Sequence, residues 1–391
     1  MTKRYIRLKE LKPGLLNNYV PSDEYLINTK LQKNEIYLAK TNSDGNQDSI
    51  WGFKSENNVF LLGDSSVESI YLRLSMKPQS ILERMLLENG FEYSVYNLGV
   101  SGSQTLNIVN LIINKLGNKP GSTLVVSIPS NDEGALDLKN NYFSDHWRYS
   151  SIVPAFNRIS TRAEKIDYEP FEKNIKMIIA LCDILNLKLF MTSIIYNGEN
   201  TVYEKLNKIA SEVCSHKKVP FINFEPVFKE GKDYFYDSLH LLPSGSIYYS
   251  EGVFDAINST LVSNSLAYLS IYDICNDMVL TNTMIWSESI KLLIGSTIRV
   301  IIDADFPMDS SSKQMLLSID YGKEDIQSEL PKSENSEIGY FKYISAPAGK
   351  RVELLIDLKV PNGCEKIRFG LRSWKSQQVR VIKASVSVVN A

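Results

Sequence analysis

The chain has 391 residues, of which 43% are hydrophobic and 23% charged, with Lys+Arg 43 against Asp+Glu 45 and a formal net charge of -2. That length exceeds one compact core and points to two domains, or to one with large additions. The near-even charge balance supplies no field to attract nucleic acid or an anionic membrane surface, and no run approaches the roughly 18 consecutive apolar residues of a membrane span.

The first ten residues carry positive charge without an apolar stretch or small-residue cleavage site, so they do not read as a secretory leader, and the expected location is cytoplasmic. Cys182, Cys214, Cys275 and Cys364 are far apart and form no Cys-x-x-Cys pair; free, mostly buried thiols are expected.

Residues 1–55 are polar and turn-rich, with Pro13-Gly14 and Ser43-Asp44-Gly45-Asn46, and read as an N-terminal extension carrying a hairpin. From Val59 onward, short apolar runs alternate with amphipathic stretches. Strands are predicted at 59–62, 93–97, 123–128, 187–193 and 220–223. Ile175, Ile178, Ile179, Cys182 and Leu185 make one helical stripe, and Val202, Leu206, Ile209 and Val213 a second; a last helix is predicted over 244–262. This alternation predicts a doubly wound parallel sheet with helices on both faces, occupying 56–265. Residues 266–391 instead hold β-branched runs at 298–302, 315–319, 352–358, 366–371 and 379–388, separated by turn chemistry at 309–312, Pro347-Ala348-Gly349 and Pro361-Asn362-Gly363. An all-β sandwich, jelly-roll-like, is the closed solution for so many strands.

Four short blocks carry chemistry. Gly63-Asp64-Ser65 follows the first predicted strand and precedes a helical segment, which places Ser65 at the C-terminal edge of the sheet where backbone N–H groups favour developing negative charge. Alone, that Ser is as well read as a helix cap. Asp237-Ser238-Leu239-His240 precedes the closing helix. A serine hydroxyl needs a base, His has the suitable pKa, and a carboxylate three residues earlier can fix its tautomer. Of the three histidines, only His240 has such a carboxylate; His216 reads as a solvated helix end. Gly102, after the second strand, and Asn131, after the third, can donate to an oxyanion together with the Ser65 N–H, although a tight turn and a cap would explain them equally well.

In their order along the chain these blocks resemble the SGNH hydrolases, also called GDSL esterases, over about 59–262. The resemblance implies Ser65 as nucleophile, Ser65, Gly102 and Asn131 as the oxyanion hole, and Asp237 and His240 as the rest of a triad. Two positions depart from the family pattern: Pro129, where Gly is frequent, and Ser66, where Leu or Val is usual. The implied function is serine-dependent ester hydrolysis or O-acyltransfer through an acyl-Ser65. The appended β unit and the family together suggest acetyl groups on a carbohydrate or another acylated small molecule as substrate. No cofactor or metal is expected, because no clustered ligand motif or phosphate loop is present, though acetyl-CoA would serve as acyl donor to a transferase. The alternative is a non-catalytic glycan-binding or scaffold protein on an SGNH shell. Between Asn131 and the next helix, Tyr142, Phe143, His146, Trp147, Arg148 and Tyr149 lie in a long stretch suited to a substrate wall, and Glu68, Tyr71 and Arg73 are further pocket candidates.

Overall fold

The computed structural model describes residues 3–155, 161–230, 233–261, 268–292, 296–308, 313–323, 326–375 and 377–390. The turn expected at 309–312 and the domain boundary expected between 265 and 266 lie outside these residues.

The N-terminal segment holds β1 (Tyr5–Ile6), β2 (Leu16–Tyr19), α1 (Asp23–Ile27), β3 (Glu35–Lys40) and β4 (Gln47–Asp48). Next come β5 (Asn58–Leu62), α2 (Ser65–Glu68), α3 (Pro78–Glu88), β6 (Ser94–Asn97), α4 (Thr105–Leu111), β7 (Thr123–Ser127) and α5 (Asp132–Leu136). The chain then runs through β8 (Ile152–Val153), α6 (Glu169–Ile184), β9 (Lys188–Thr192), α7 (Thr201–Lys217), β10 (Phe221–Ile222), α8 (Glu225–Glu230) and α9 (Pro243–Ile257). The C-terminal strands are β11 (Tyr268–Val279), β12 (Ile285–Trp286), β13 (Ile290–Lys291), β14 (Thr297–Asp305), β15 (Met315–Asp320), β16 (Tyr340–Ile344), β17 (Arg351–Leu358), β18 (Lys366–Ser373) and β19 (Arg380–Asn390).

The first sheet runs in the order β10-β9-β7-β5-β6-β4, with all pairs parallel except the terminal β4–β6 pair. Its central strands β5 and β7 are buried on both faces, which is why they read as continuous apolar runs. Phe60, Leu62, Leu124 and Val126 pack under α4, α6 and α7 on one side, while Val59, Leu61, Val95 and Val125 meet α3 and α9 on the other. From β5 the chain moves outward to β6 and then back across to β7, so strand order reverses beside β5 and a crevice opens at the carboxyl ends of β5, β6 and β7.

The C-terminal strands form two facing sheets, β11-β19-β14-β17-β3-β2 and β12-β18-β15-β16, with β13 also on β18. Ile298, Val300 and Ile302 of β14 point inward against Met315, Leu317 and Ile319 of β15 and Ile367, Phe369 and Leu371 of β18. The doubly wound sheet and the sandwich are thus the fold class expected from the sequence.

The N-terminal segment is shared between the two units. β2 and β3 form an antiparallel hairpin whose β3 pairs in parallel with β17, extending the sandwich, while β4 pairs with β6 at the edge of the parallel sheet. The outer face of the larger sandwich sheet is covered as well: Ile301 and Val389 pack with Ile50, Trp51, Phe53, Leu74 and Leu87. Polar contacts seam the same boundary. Arg73 pairs with Glu35 at 2.9 Å and Asp303 at 2.5 Å, Arg351 pairs with Asp303 at 2.8 Å, and the Ser75 N–H donates to Glu353 at 3.0 Å.

Candidate active site

β5 runs into Gly63, where a Cβ would come within 2.5 Å of the Val67 side chain, so only glycine lets the strand end lie against α2. Asp64 caps α2, its Oδ1 accepting the Ser66 N–H at 3.0 Å. Ser65 follows as the first residue of a helix only one turn long, closed by Ser69 in the left-handed region. The helical segment expected behind Ser65 is this single turn. With one turn the macrodipole contributes little, and the local N–H groups are what remains.

His240 reaches Ser65 from a tight loop before α9. The Tyr236 N–H donates to the His240 carbonyl at 3.0 Å and the Leu242 N–H to the Tyr234 carbonyl at 2.8 Å, which folds 234–242 back on itself. His240 Nε2 lies 2.8 Å from Ser65 Oγ, and Nδ1 lies 2.7 Å from Asp237 Oδ2. Asp237 Oδ1 accepts the backbone N–H groups of Leu239 and His240, each at 2.8 Å. Burial opposes ionisation of Asp237, but the hydrogen bond and charge of His240 and the two N–H donors outweigh it and hold the carboxyl below its usual range. A lowered carboxylate is the form that orients an imidazole and steadies its cation. The Tyr236 ring lies parallel to the His240 ring, centroids 5.4 Å apart, and fixes its plane.

Gly102 and Asn131 line the same cavity as Ser65 and His240. Gly102 has φ 74, which favours glycine, and neither its N–H nor that of Ser65 has a partner among the described residues. Asn131 Nδ2 gives one hydrogen to Asp64 Oδ2 at 3.1 Å, leaving a second for the cavity. The five residues singled out from the sequence therefore meet at one place, on loops following β5, β6 and β7 and on the loop before α9.

Other members of the site were not read from the sequence. Asp64 is 1% exposed, and its Oδ2 also takes the N–H and Oγ–H of Ser130, each at 2.7 Å, so one carboxylate ties the nucleophile turn to the Asn131 turn. Its place as a cap before Ser65 was a usable signal. Tyr25 of α1 donates its phenol to Asp237 Oδ2 at 3.0 Å; nothing in the N-terminal segment marked it. Burial and the Asp237 charge raise the Tyr25 phenol, keeping it a donor. Asp132, fully buried, takes the Thr105 N–H at 3.1 Å and the Tyr142 phenol, and burial pushes it up to about 7 against those hydrogen bonds.

The long stretch after α5 divides. Tyr142 is core, holding Asp132, and Phe143 is 78% exposed and lines neither cavity at the site. His146, Trp147, Arg148 and Tyr149 line a wide cleft of about 920 Å³ that adjoins the cavity of about 360 Å³ above Ser65. Of the other candidates, Tyr71 lines the smaller cavity. Glu68 instead accepts the Ser101 N–H at 2.5 Å, and Arg73 turns to the sandwich. His216 sits at the exposed end of α7 with Nδ1 2.8 Å from the Glu212 carbonyl, far from any part in the relay. Among the described residues no group of three or more His, Cys, Asp or Glu is placed to hold a metal ion, and no helix is long and apolar enough to cross a membrane.

At the level of sequence, no family model and no curated protein matches the chain. Among solved structures, 109 chains match. An acetyl xylan esterase is 16% identical, with 51% of this chain and 99% of that one covered and a TM-score of 0.38. A lipase/acylhydrolase from Enterococcus faecalis is 19% identical, with 53% and 98% covered and a TM-score of 0.40. A psychrotrophic esterase from Pseudoalteromonas sp. is 13% identical, with 52% and 98% covered and a TM-score of 0.40. GDSL/SGNH acylhydrolases and esterases recur among these neighbours, at low identity and over about half of the chain.

Proposed function

We propose that the protein is a serine-dependent acyl ester hydrolase or O-acyltransferase, acting on acetyl groups of a carbohydrate through an acyl-Ser65 intermediate. The observation that carries this reading is the unbroken relay Ser65 Oγ to His240 Nε2 at 2.8 Å and His240 Nδ1 to Asp237 Oδ2 at 2.7 Å. His240 takes the Ser65 proton as Oγ attacks the ester carbonyl carbon. The tetrahedral oxyanion is held by the Ser65 and Gly102 N–H groups and the Asn131 amide. His240 then passes the proton to the departing alcohol oxygen, leaving acyl-Ser65. Water or a sugar hydroxyl, deprotonated in turn by His240, attacks that ester and restores the serine. Every proton and electron pair is accounted for without a cofactor; a transferase adds an activated acyl donor such as acetyl-CoA as a substrate.

A short acyl group fits the lining. The cavity above Ser65 has only Ile70 and Leu239 as aliphatic walls, with Tyr25, Tyr71 and Tyr236 supplying phenols, which suits an acetyl group and a sugar hydroxyl better than a fatty chain. Hydrolase and transferase share this chemistry and differ in whether the acceptor excludes water. Intact-mass measurement after exposure to acetyl-CoA and acetylated sugars tests both: an acetyl adduct on Ser65, absent in Ser65→Ala, supports the intermediate, and faster donor consumption on adding a sugar acceptor assigns the transferase. A folded protein that forms no adduct and turns over no acetyl ester overturns the proposal in favour of a binding or scaffold role.

A further inference from the structure

The cavity above Ser65 and the wide cleft beside it share four lining residues, Ser130, Asn131, Arg148 and Leu239. A substrate with its acyl group at Ser65 and its body in the cleft must cross this junction. Arg148 is the single Lys or Arg lining the inner cavity, and no Asp or Glu lines it. In the cleft, Asp137 is paired with Arg162 at 3.3 Å, and Glu133 is approached by the Asn200 amide at 3.5 Å. Arg148 has no ion pair among the described residues. Its guanidinium lies 5.7 Å from the centroid of the Tyr149 ring.

The loop that carries Arg148 is held in place. The Tyr149 and Ser150 N–H groups donate to the His146 carbonyl at 3.1 and 2.9 Å, and the His146 ring stacks on Tyr149 at 5.3 Å. Tyr149 rests on α5 at Gly134, where a Cβ would come within 2.3 Å of its Oη. Positive charge is also in excess on this rim. Lys9 donates to the Gly102 carbonyl at 3.0 Å, and its ammonium is pushed down to about 8, first by burial and then by Arg7 and Arg148. Glu68, the opposing charge that acts on Lys9, accepts the Ser101 hydroxyl at 2.6 Å. A planar guanidinium without a carboxylate among the described residues, where the two cavities share their lining, is suited to bidentate capture of a carboxylate or phosphate.

We propose that Arg148 forms an anion subsite at this junction, and that the acylated substrate is an acidic sugar bearing a carboxylate or phosphate. This rests on the acyl transfer chemistry proposed for Ser65. Trp147, 54% exposed and lining the cleft, offers a face to the sugar ring.

The test compares kcat/KM for O-acetylated glucuronic acid, O-acetylated glucose 6-phosphate and O-acetylated glucose, with the acetyl at the same position. Wild type is expected to favour at least one anion over the neutral sugar by about tenfold or more, a preference that shrinks with added salt. The favoured anion names the group. Arg148→Gln is expected to bring the ratio to within about threefold of unity, and Arg148→Lys to retain part of it. Equal rates on all three esters in wild type, or a preference that survives Arg148→Gln, overturns the subsite. Labelling of Ser65 by a fluorophosphonate separates the two failures: with Ser65 labelled, only the subsite falls, and without labelling the reading of the site falls with it.

Discussion

Replacing Tyr25 with Phe removes one of four hydrogen bonds on the Asp237 carboxylate and keeps the ring. The phenol donates to Oδ2 at 3.0 Å, the same oxygen that lies 2.7 Å from His240 Nδ1. A hydrogen bond to a charged acceptor is worth roughly 1.5–3 kcal/mol, and both partners here are only half-buried, so the expected loss at pH 7 is about 1.5 kcal/mol. Because the fold holds the Asp237 carboxyl below its usual range, its stabilisation is complete above the range of the unfolded carboxylate. That stabilisation is lost as pH falls through the lowered folded value. The gap between wild type and Tyr25→Phe is therefore widest near neutrality and closes as pH falls through the lowered folded value of Asp237. Catalysis should respond in a second way. With one donor gone, the Asp237 carboxylate is held less firmly and orients His240 less well, so kcat/KM on p-nitrophenyl acetate falls by as much as about tenfold at pH 7, the equivalent of roughly 1.4 kcal/mol. Urea unfolding across pH and kcat/KM at pH 7 measure the two effects. A variant equal to wild type in both, or a stability gap that does not vary with pH, refutes the coupling.

Asn131→Ala should lower kcat by about 10²–10³ with the circular dichroism spectrum unchanged, as expected of a lost oxyanion donor, and should cost about 1.5 kcal/mol in unfolding through its lost bond to Asp64. Gly134→Ala would ordinarily stabilise a helix by up to about 1 kcal/mol, but here the added Cβ meets the Tyr149 phenol; KM for a sugar ester should rise more than KM for p-nitrophenyl acetate. Arg73→Met leaves Glu35 with the Tyr37 phenol at 2.5 Å and Arg351 only at 4.0 Å, and removes one of the two arginines on Asp303, at the boundary between the α/β unit and the sandwich. It should cost about 3 kcal/mol in urea unfolding, with Arg351 limiting the loss at Asp303.

The parallel sheet was legible because strands buried on both faces are written as unbroken apolar runs: the five predicted strands each fall on an observed one, from β5 to β10. β11 was not legible. It shifts register between Asp273 and Cys275, and such a bulge destroys the period-two pattern by which a half-buried strand is recognised. The place of β2 and β3 in the sandwich was hidden for another reason, since the strand that β3 joins, β17, lies about three hundred residues away and only tertiary structure selects it. The same distinction divides the site. Ser65, Gly102, Asn131, Asp237 and His240 sit at positions dictated by strand ends and a short turn, so local sequence displays them. Tyr25 acts through a long-range contact that no local pattern reports, and the cap position of Asp64 before Ser65 signals its local bond to Ser66 but not its long-range bonds to Ser130 and Asn131. Arg73 was ambiguous from sequence because a one-turn helix does not fix which way the following residues face.

The central claim is that His240, oriented by Asp237, makes the Ser65 hydroxyl nucleophilic. Its most direct measurement is the rate and position of fluorophosphonate modification at pH 7 in wild type, Ser65→Ala and His240→Ala, read by peptide mass spectrometry. Modification is expected at Ser65 alone, with none in Ser65→Ala and a rate about 10²–10⁴-fold slower in His240→Ala. Modification at another serine, or at Ser65 with a rate indifferent to His240, would contradict it.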